Sequence, residues 1–103
     1  MIRGVLAAFD AIASDSDNYD IRKVDRTEVT GLIVSTAFTS DMGYETAILD
    51  VLGAHPVERY SSREDAEAGH KRWVGQATSL KTVTVLGYFD LQDDERYTLR
   101  RRD

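Results

Sequence analysis

Glu45 and His70 are the side chains in this sequence most able to do chemistry together. A carboxylate and an imidazole in contact can act as a general acid–base pair or bind a ligand. We expect Glu45 on the apolar face of a β-hairpin and His70 on the apolar stripe of a helix. If that helix covers that face, the two groups meet at one edge of the core. Thr36, Tyr44 and Trp73 would then line a pocket beside them.

The same pair has a structural interpretation. A buried carboxylate needs a partner, because burial otherwise favours its protonated form. A contact between Glu45 and His70 would supply that partner and fix how the helix docks on the sheet. Such contacts are common without catalysis, so we favour the structural tie and assign no catalytic residue. A small enzyme that uses Glu45 and His70 remains the alternative.

Metal and cofactor chemistry find little support in the sequence. The acidic turn at residues 14–20 departs from the EF-hand pattern, which has Gly at its sixth position and Glu at its twelfth, where this sequence has Asp20 and Arg26. His55 and His70 are the only histidines, and there is no cysteine. We therefore predict no metal site and no cofactor.

The hairpin that would carry Glu45 is predicted from two segments, 30–38 and 44–52, rich in β-branched, aromatic and aliphatic residues. Residues 40–43 between them include a glycine and suit a hairpin turn. If these residues form the loop, Thr39 faces Tyr44, and the register follows. The predicted core face then consists of Leu32, Val34, Thr36 and Phe38 opposite Val51, Leu49, Ala47 and Glu45.

The helix that would carry His70 has the clearest local signals. Ser61 and Glu64 fit a capping box, and acidic residues follow in the first turn, where the helix dipole favours them. We predict a helix over about 62–78. Its apolar stripe is formed by Ala66, Gly69, His70, Trp73, Val74 and Ala77.

Weaker patterns complete the fold. We predict an amphipathic helix over residues 3–13, short strands at 21–24 and 57–60, a strand over 82–91 interrupted at Gly87, and an edge strand at 96–100. The expected class is α+β: a mainly antiparallel sheet with the 62–78 helix packed on one face and the N-terminal helix beside it.

Length and composition exclude several classes of protein. The chain has 103 residues, 42% of them hydrophobic and 30% charged, which suits one globular domain over residues 1–103. No apolar run approaches the roughly 20 residues of a membrane span, and the absence of cysteine fits a cytoplasmic location. The net charge of −5 repels phosphate groups and argues against nucleic acid as a partner. The basic run Arg100-Arg101-Arg102 is expected to be a solvated terminus.

Four fragments resemble a family of small uncharacterised proteins of actinobacterial phages and prophages. That family has V-S-T, F-E-T, R-Y-S/T and A-G-H segments in this order, and the resemblance covers residues about 22–74. A longer Gly/Pro-rich loop with its own Asp-His pair is replaced here by a tight turn. The matching residues are Val34-Ser35-Thr36, Tyr44-Glu45-Thr46, Arg59-Tyr60-Ser61 and Ala68-Gly69-His70.

The resemblance implies a viral origin and supplies no mechanism. We expect a non-enzymatic module that binds a host or phage protein in the host cytoplasm, because the sequence is short, acidic in its first part and free of nucleophile motifs. The alternative is a structural or accessory component of a phage assembly, acting as a homo-oligomer. A small enzyme is the third hypothesis.

Overall fold

The computed structural model describes residues 23–40, 43–87 and 94–103. The helix predicted over residues 3–13 lies outside them. Within the described residues, α1 is too short and too polar to cross a lipid bilayer. The elements are β1 (Lys23–Val29), β2 (Leu32–Thr39), β3 (Gly43–Asp50), β4 (Gly53–Tyr60), α1 (Arg63–Ala77), β5 (Thr82–Val85) and β6 (Glu95–Thr98).

The strands form two antiparallel sheets. One has four strands in the order β1-β2-β3-β4, and the other pairs β5 with β6. Helix α1 packs on the four-stranded sheet. The expected α+β class, the antiparallel sheet and the helix predicted over 62–78 are therefore confirmed.

The β2–β3 register differs by one residue from the prediction. Thr39 pairs with Gly43 and Phe38 pairs with Tyr44, so Gly43 opens β3 and does not belong to the turn. Gly43 has a φ of +73°, a left-handed conformation that glycine adopts without strain. Because side chains alternate across a strand, this slip moves every β3 side chain to the other face. Ile48, and not Leu49, lies opposite Val34 on the face beneath α1.

β1 and β4 are longer than predicted. β1 covers Lys23–Val29, but only residues 21–24 were predicted as strand. The segment has too many polar residues to show an apolar face. β4 begins at Gly53 and continues through Pro56, although the prediction started at 57. Thr46 pairs with Glu58 and Ala47 with Pro56, which leaves one extra residue on β4. Proline is tolerated at such a bulge because it has no N–H to pair.

The main core lies between the four-stranded sheet, α1 and β5. Trp73 packs against it from α1, as the apolar stripe predicted. Gly69 is required in that stripe, because a Cβ there would collide with the ring of Tyr60. The buried members of the core are Leu32, Val34, Ile48, Val57, Ala77, Val83 and Leu99.

The ends of α1 are fixed by specific hydrogen bonds. The N-cap is Ser62, whose hydroxyl accepts a bond of 3.1 Å from the backbone N–H of Asp65, so the predicted Ser61–Glu64 box is displaced by one residue. At the other end, the Arg101 guanidinium donates to the carbonyls of Ala77 and Leu80, both at 2.6 Å. The prediction of a solvated terminus is wrong for Arg101, because this side chain caps the helix.

Candidate functional site

Glu45 and His70 lie in different environments. In the observed register, Thr46 lies on the face of the sheet beneath α1. Glu45, its neighbour in the strand, lies on the other face. The Glu45 carboxylate accepts a hydrogen bond of 2.9 Å from Nε of Arg59 on β4. The structure therefore does not bring Glu45 to His70, and the physical reason is the one-residue shift of the hairpin.

His70 is 2% exposed and is held between two threonine hydroxyls. Its Nδ1 lies 2.7 Å from Oγ1 of Thr36 on β2, and its Nε2 lies 2.9 Å from Oγ1 of Thr27 on β1. The carboxylate that approaches the ring belongs to Asp25, with Oδ2 3.8 Å from Nε2. His70 thus joins α1 to two neighbouring strands. The sequence placed Thr36 beside His70 as pocket lining, but it did not indicate Thr27.

A line of buried hydroxyls continues from His70 across the sheet. Oγ1 of Thr36 lies 2.5 Å from Oγ1 of Thr46, its cross-strand partner, and both residues are fully buried. Oγ1 of Thr46 lies 3.0 Å from the Tyr60 hydroxyl, which donates a 3.0 Å bond to Oε1 of Glu58. Thr36, Thr46 and Tyr60, called here the hydroxyl relay, connect His70 with Glu58.

The Glu58 end of the relay is negatively charged. The Trp73 indole N–H donates a 2.8 Å bond to Oε1, and the Arg72 guanidinium donates to both carboxylate oxygens at 3.3 Å. Burial acts to raise the pKa of Glu58, but the bonds from Trp73, Arg72 and Tyr60 outweigh it and lower that pKa. Burial raises the pKa of the Tyr60 hydroxyl. The relay therefore ends on an ionised carboxylate at neutral pH.

The His70 end of the relay is neutral at physiological pH. Burial lowers the pKa of its imidazole below the ordinary value of 6.5, although the charge on Asp25 acts in the opposite direction. The ring also borders a cleft of about 170 Å³ between β1 and α1. The cleft is lined by Val24, Asp25, Glu67, His70 and Lys71.

The three residues predicted to line a pocket with the pair have separate roles. Thr36 belongs to the hydroxyl relay, and Trp73 packs on the core with its indole N–H on Glu58. Tyr44 forms an edge-to-face pair with Phe38, with ring centroids 5.0 Å apart. Phe38 is 43% exposed. We call Phe38 and Tyr44 the aromatic patch.

The aromatic patch lies at the end of the sheet where α1 begins. Tyr44 pairs with Tyr60, and the helix starts three residues later at Arg63. The exposed carboxylates of Glu64 and Asp65 occupy the first turn of that helix. This end of the domain therefore combines an exposed aromatic ring with exposed carboxylates and with Arg63, which pairs with Glu67.

The buried carboxylate of Asp50 fastens the C-terminal segment to the four-stranded sheet. It accepts hydrogen bonds of 2.9 Å from Nε2 of His55, 2.8 Å from the Tyr97 hydroxyl and 2.8 Å from the Arg100 backbone N–H. Its pKa is lowered, because these bonds and one from Leu52 outweigh the effect of burial. Every donor belongs to the protein itself, so Asp50 acts as a structural tie.

No group of three or more histidine, cysteine or acidic side chains in residues 23–40, 43–87 and 94–103 could hold a metal ion. Comparison with protein-family models, with curated proteins and with solved structures gives no match. The sequence did not predict the hydrogen bonds made by Thr27, Thr46, Tyr60 and Glu58. The correct register would have placed Thr46 opposite Thr36.

Proposed function

We propose that this chain is a non-enzymatic, phage-type module that binds a host or phage protein through the aromatic patch. The observation that carries the proposal is the Phe38 ring, a large hydrophobic side chain that is 43% exposed. Tyr44 supports it edge-to-face, so the ring loses little freedom on binding. Aromatic side chains of this kind are enriched at the centres of protein interfaces.

The net negative charge of the chain favours a basic partner. Glu64 and Asp65 are exposed at the same end of the domain, and the whole chain carries a net charge of −5. Complementary charge accelerates association and discriminates against acidic surfaces. The proposed partner surface therefore has an apolar depression for Phe38, bordered by lysine or arginine.

The enzymatic alternative has weaker support. It required Glu45 beside His70, but Arg59 binds the Glu45 carboxylate, and His70 is almost fully buried. Both nitrogens of the His70 ring lie within hydrogen-bond distance of threonine hydroxyls. Because threonine hydroxyls occupy both ring nitrogens, the structural tie is the better interpretation of His70.

Site-specific photocrosslinking tests the proposal. The photoreactive amino acid p-benzoylphenylalanine replaces Phe38 in one protein and the exposed Thr84 of β5 in a matched control. Each protein is irradiated in a lysate of an actinobacterial host, with and without phage infection. We expect position 38 to crosslink a defined host or phage protein whose contact segment is basic, and we expect position 84 not to do so.

The outcomes separate the hypotheses. A position-38 crosslink between two copies of this chain would favour the assembly component over the binding module. No adduct from position 38, or the same adducts from positions 38 and 84, would contradict the proposal that the aromatic patch is the binding surface.

A further inference from the structure

The hydrogen bonds of the hydroxyl relay can run in only one direction. An ionised carboxylate accepts hydrogen bonds and cannot donate them, so the Tyr60 hydroxyl gives its hydrogen to Glu58. The Tyr60 oxygen must then accept the hydrogen of Thr46. Since the Thr46 hydrogen is used, Thr36 must donate to Thr46. Each hydroxyl therefore passes its hydrogen toward Glu58.

This direction determines the protonation of His70. The Thr36 hydrogen points to Thr46, so the Thr36 oxygen can only accept from Nδ1 of His70. A neutral imidazole carries one N–H, and here it must lie on Nδ1. Nε2 is then an acceptor, and the Thr27 hydroxyl donates to it across 2.9 Å.

We propose that Glu58 selects the tautomer of His70 through the hydroxyl relay, so that the ring takes up a proton at Nε2 alone and passes that event to β1 through Thr27. On protonation, Nε2–H donates to Thr27, whose own hydrogen turns away. Asp25, 3.8 Å from Nε2, supplies the opposite charge. The bonds from Nδ1 to Glu58 keep their direction, so the response to acid stays at the contact between α1 and β1.

The charged surroundings of the ring are asymmetric. β1 contributes Asp25, and α1 contributes Glu67 and Lys71 at the cleft. β2 and β3 face the ring with the neutral hydroxyls of Thr36 and Thr46. On the face of the sheet beneath α1, β4 contributes the ionised Glu58, which the relay separates from the ring. A proton added at Nε2 therefore lies 3.8 Å from the Asp25 carboxylate, in a cleft that Glu67 and Lys71 also line.

His55 provides an internal comparison, because it is expected to be the other tautomer. Its Nε2 lies 2.9 Å from Oδ1 of Asp50, whose pKa is lowered. This carboxylate accepts, so His55 must carry its hydrogen on Nε2. The two histidines of the chain are thus expected to be opposite tautomers, each set by a carboxylate, directly for His55 and through hydroxyls for His70.

Long-range ¹H–¹⁵N correlation spectroscopy of the ¹⁵N-labelled full chain measures both tautomers. At mildly alkaline pH we expect Nδ1–H at His70 and Nε2–H at His55. On acidification, the Thr27 amide should shift with the midpoint of His70, whereas the Thr46 amide should not. A predominant Nε2–H form of His70 in the wild-type protein would overturn the proposal, as would Thr27 and Thr46 amides that respond equally.

Two tyrosine-to-phenylalanine variants test the role of the relay. Tyr60→Phe removes the hydroxyl that connects Thr46 with Glu58, so His70 should lose its single tautomer and become a mixture. Tyr97→Phe removes a hydroxyl from Asp50 and should leave His70 unchanged. A Tyr60→Phe protein that keeps the wild-type tautomer of His70 would contradict the proposal. If Tyr60→Phe fails to fold, the wild-type tautomers and titration still decide.

Discussion

Gly69 and Gly75 lie in the same helix, and we expect opposite effects from replacing each with alanine. Gly75 is exposed, and nothing lies within 4 Å of the position that a Cβ would take. Alanine is favoured over glycine in a helix interior by about 0.5–1 kcal/mol. Gly75→Ala should therefore stabilise the protein by about that amount.

At Gly69 the same gain is outweighed. A Cβ there would overlap the Tyr60 ring, which must then move. Moving it breaks the bonds of the Tyr60 hydroxyl to Thr46 and Glu58. A buried polar group left without a partner costs about 1–3 kcal/mol. After subtraction of the helix-propensity gain of about 0.5–1 kcal/mol, Gly69→Ala should destabilise the protein by up to about 2.5 kcal/mol.

Urea denaturation followed by circular dichroism measures both free energies of unfolding. Both substitutions replace glycine with alanine in the same helix, so the difference between their free energies of unfolding measures the contact with Tyr60. An increase in stability for Gly69→Ala as large as that for Gly75→Ala would refute the placement of the Tyr60 ring against the helix backbone.

Three further results are expected. The folded state should lose stability as pH falls below 6.5, the ordinary pKa of histidine, because the pKa of His70 is lower in the folded state than in the unfolded chain. Urea midpoints across this pH range measure the loss, and pH-independent midpoints would contradict it. Stability should also fall as pH rises above 10, because burial and the bond to Asp50 raise the pKa of Tyr97 to about 12. Tyr97→Phe should flatten this pH dependence, and an unchanged slope would count against the prediction. Arg101→Lys should lower the free energy of unfolding by about 1–3 kcal/mol, because lysine lacks the planar group that binds the carbonyls of both Ala77 and Leu80. Replacing the exposed Arg100 with lysine should cost little in the same urea assay. Equal effects would argue against the helix cap.

Local signals in the sequence predicted α1 and the two strands of the central hairpin, but not the register between those strands. The acidic first turn and the apolar stripe of the helix are both local, and both are present in the structure. β1 was largely missed because its polar residues leave no apolar period over Lys23–Val29. Edge strands of this kind owe their conformation to pairing with a neighbour, which a local pattern does not contain.

The candidate site was predicted less well, and one residue explains much of the difference. Gly43 is equally suited to a turn and to the start of a strand, but the two choices place Glu45 on opposite faces. His70 was correctly expected to be buried at the helix–sheet contact. Its partners are threonine hydroxyls from β1 and β2, and threonine is too common in strands for its type alone to indicate such a bond.

A pair of double-mutant cycles tests the central structural claim, that His70 is tied to Thr36 and not to Glu45. One cycle combines Thr36→Val with His70→Phe, and the other combines Glu45→Ala with His70→Phe, all by urea denaturation. We expect a coupling energy of about 0.5–3 kcal/mol in the first cycle and additive effects in the second. Additivity between Thr36 and His70, together with coupling between Glu45 and His70, would contradict the observed register and the relay built on it.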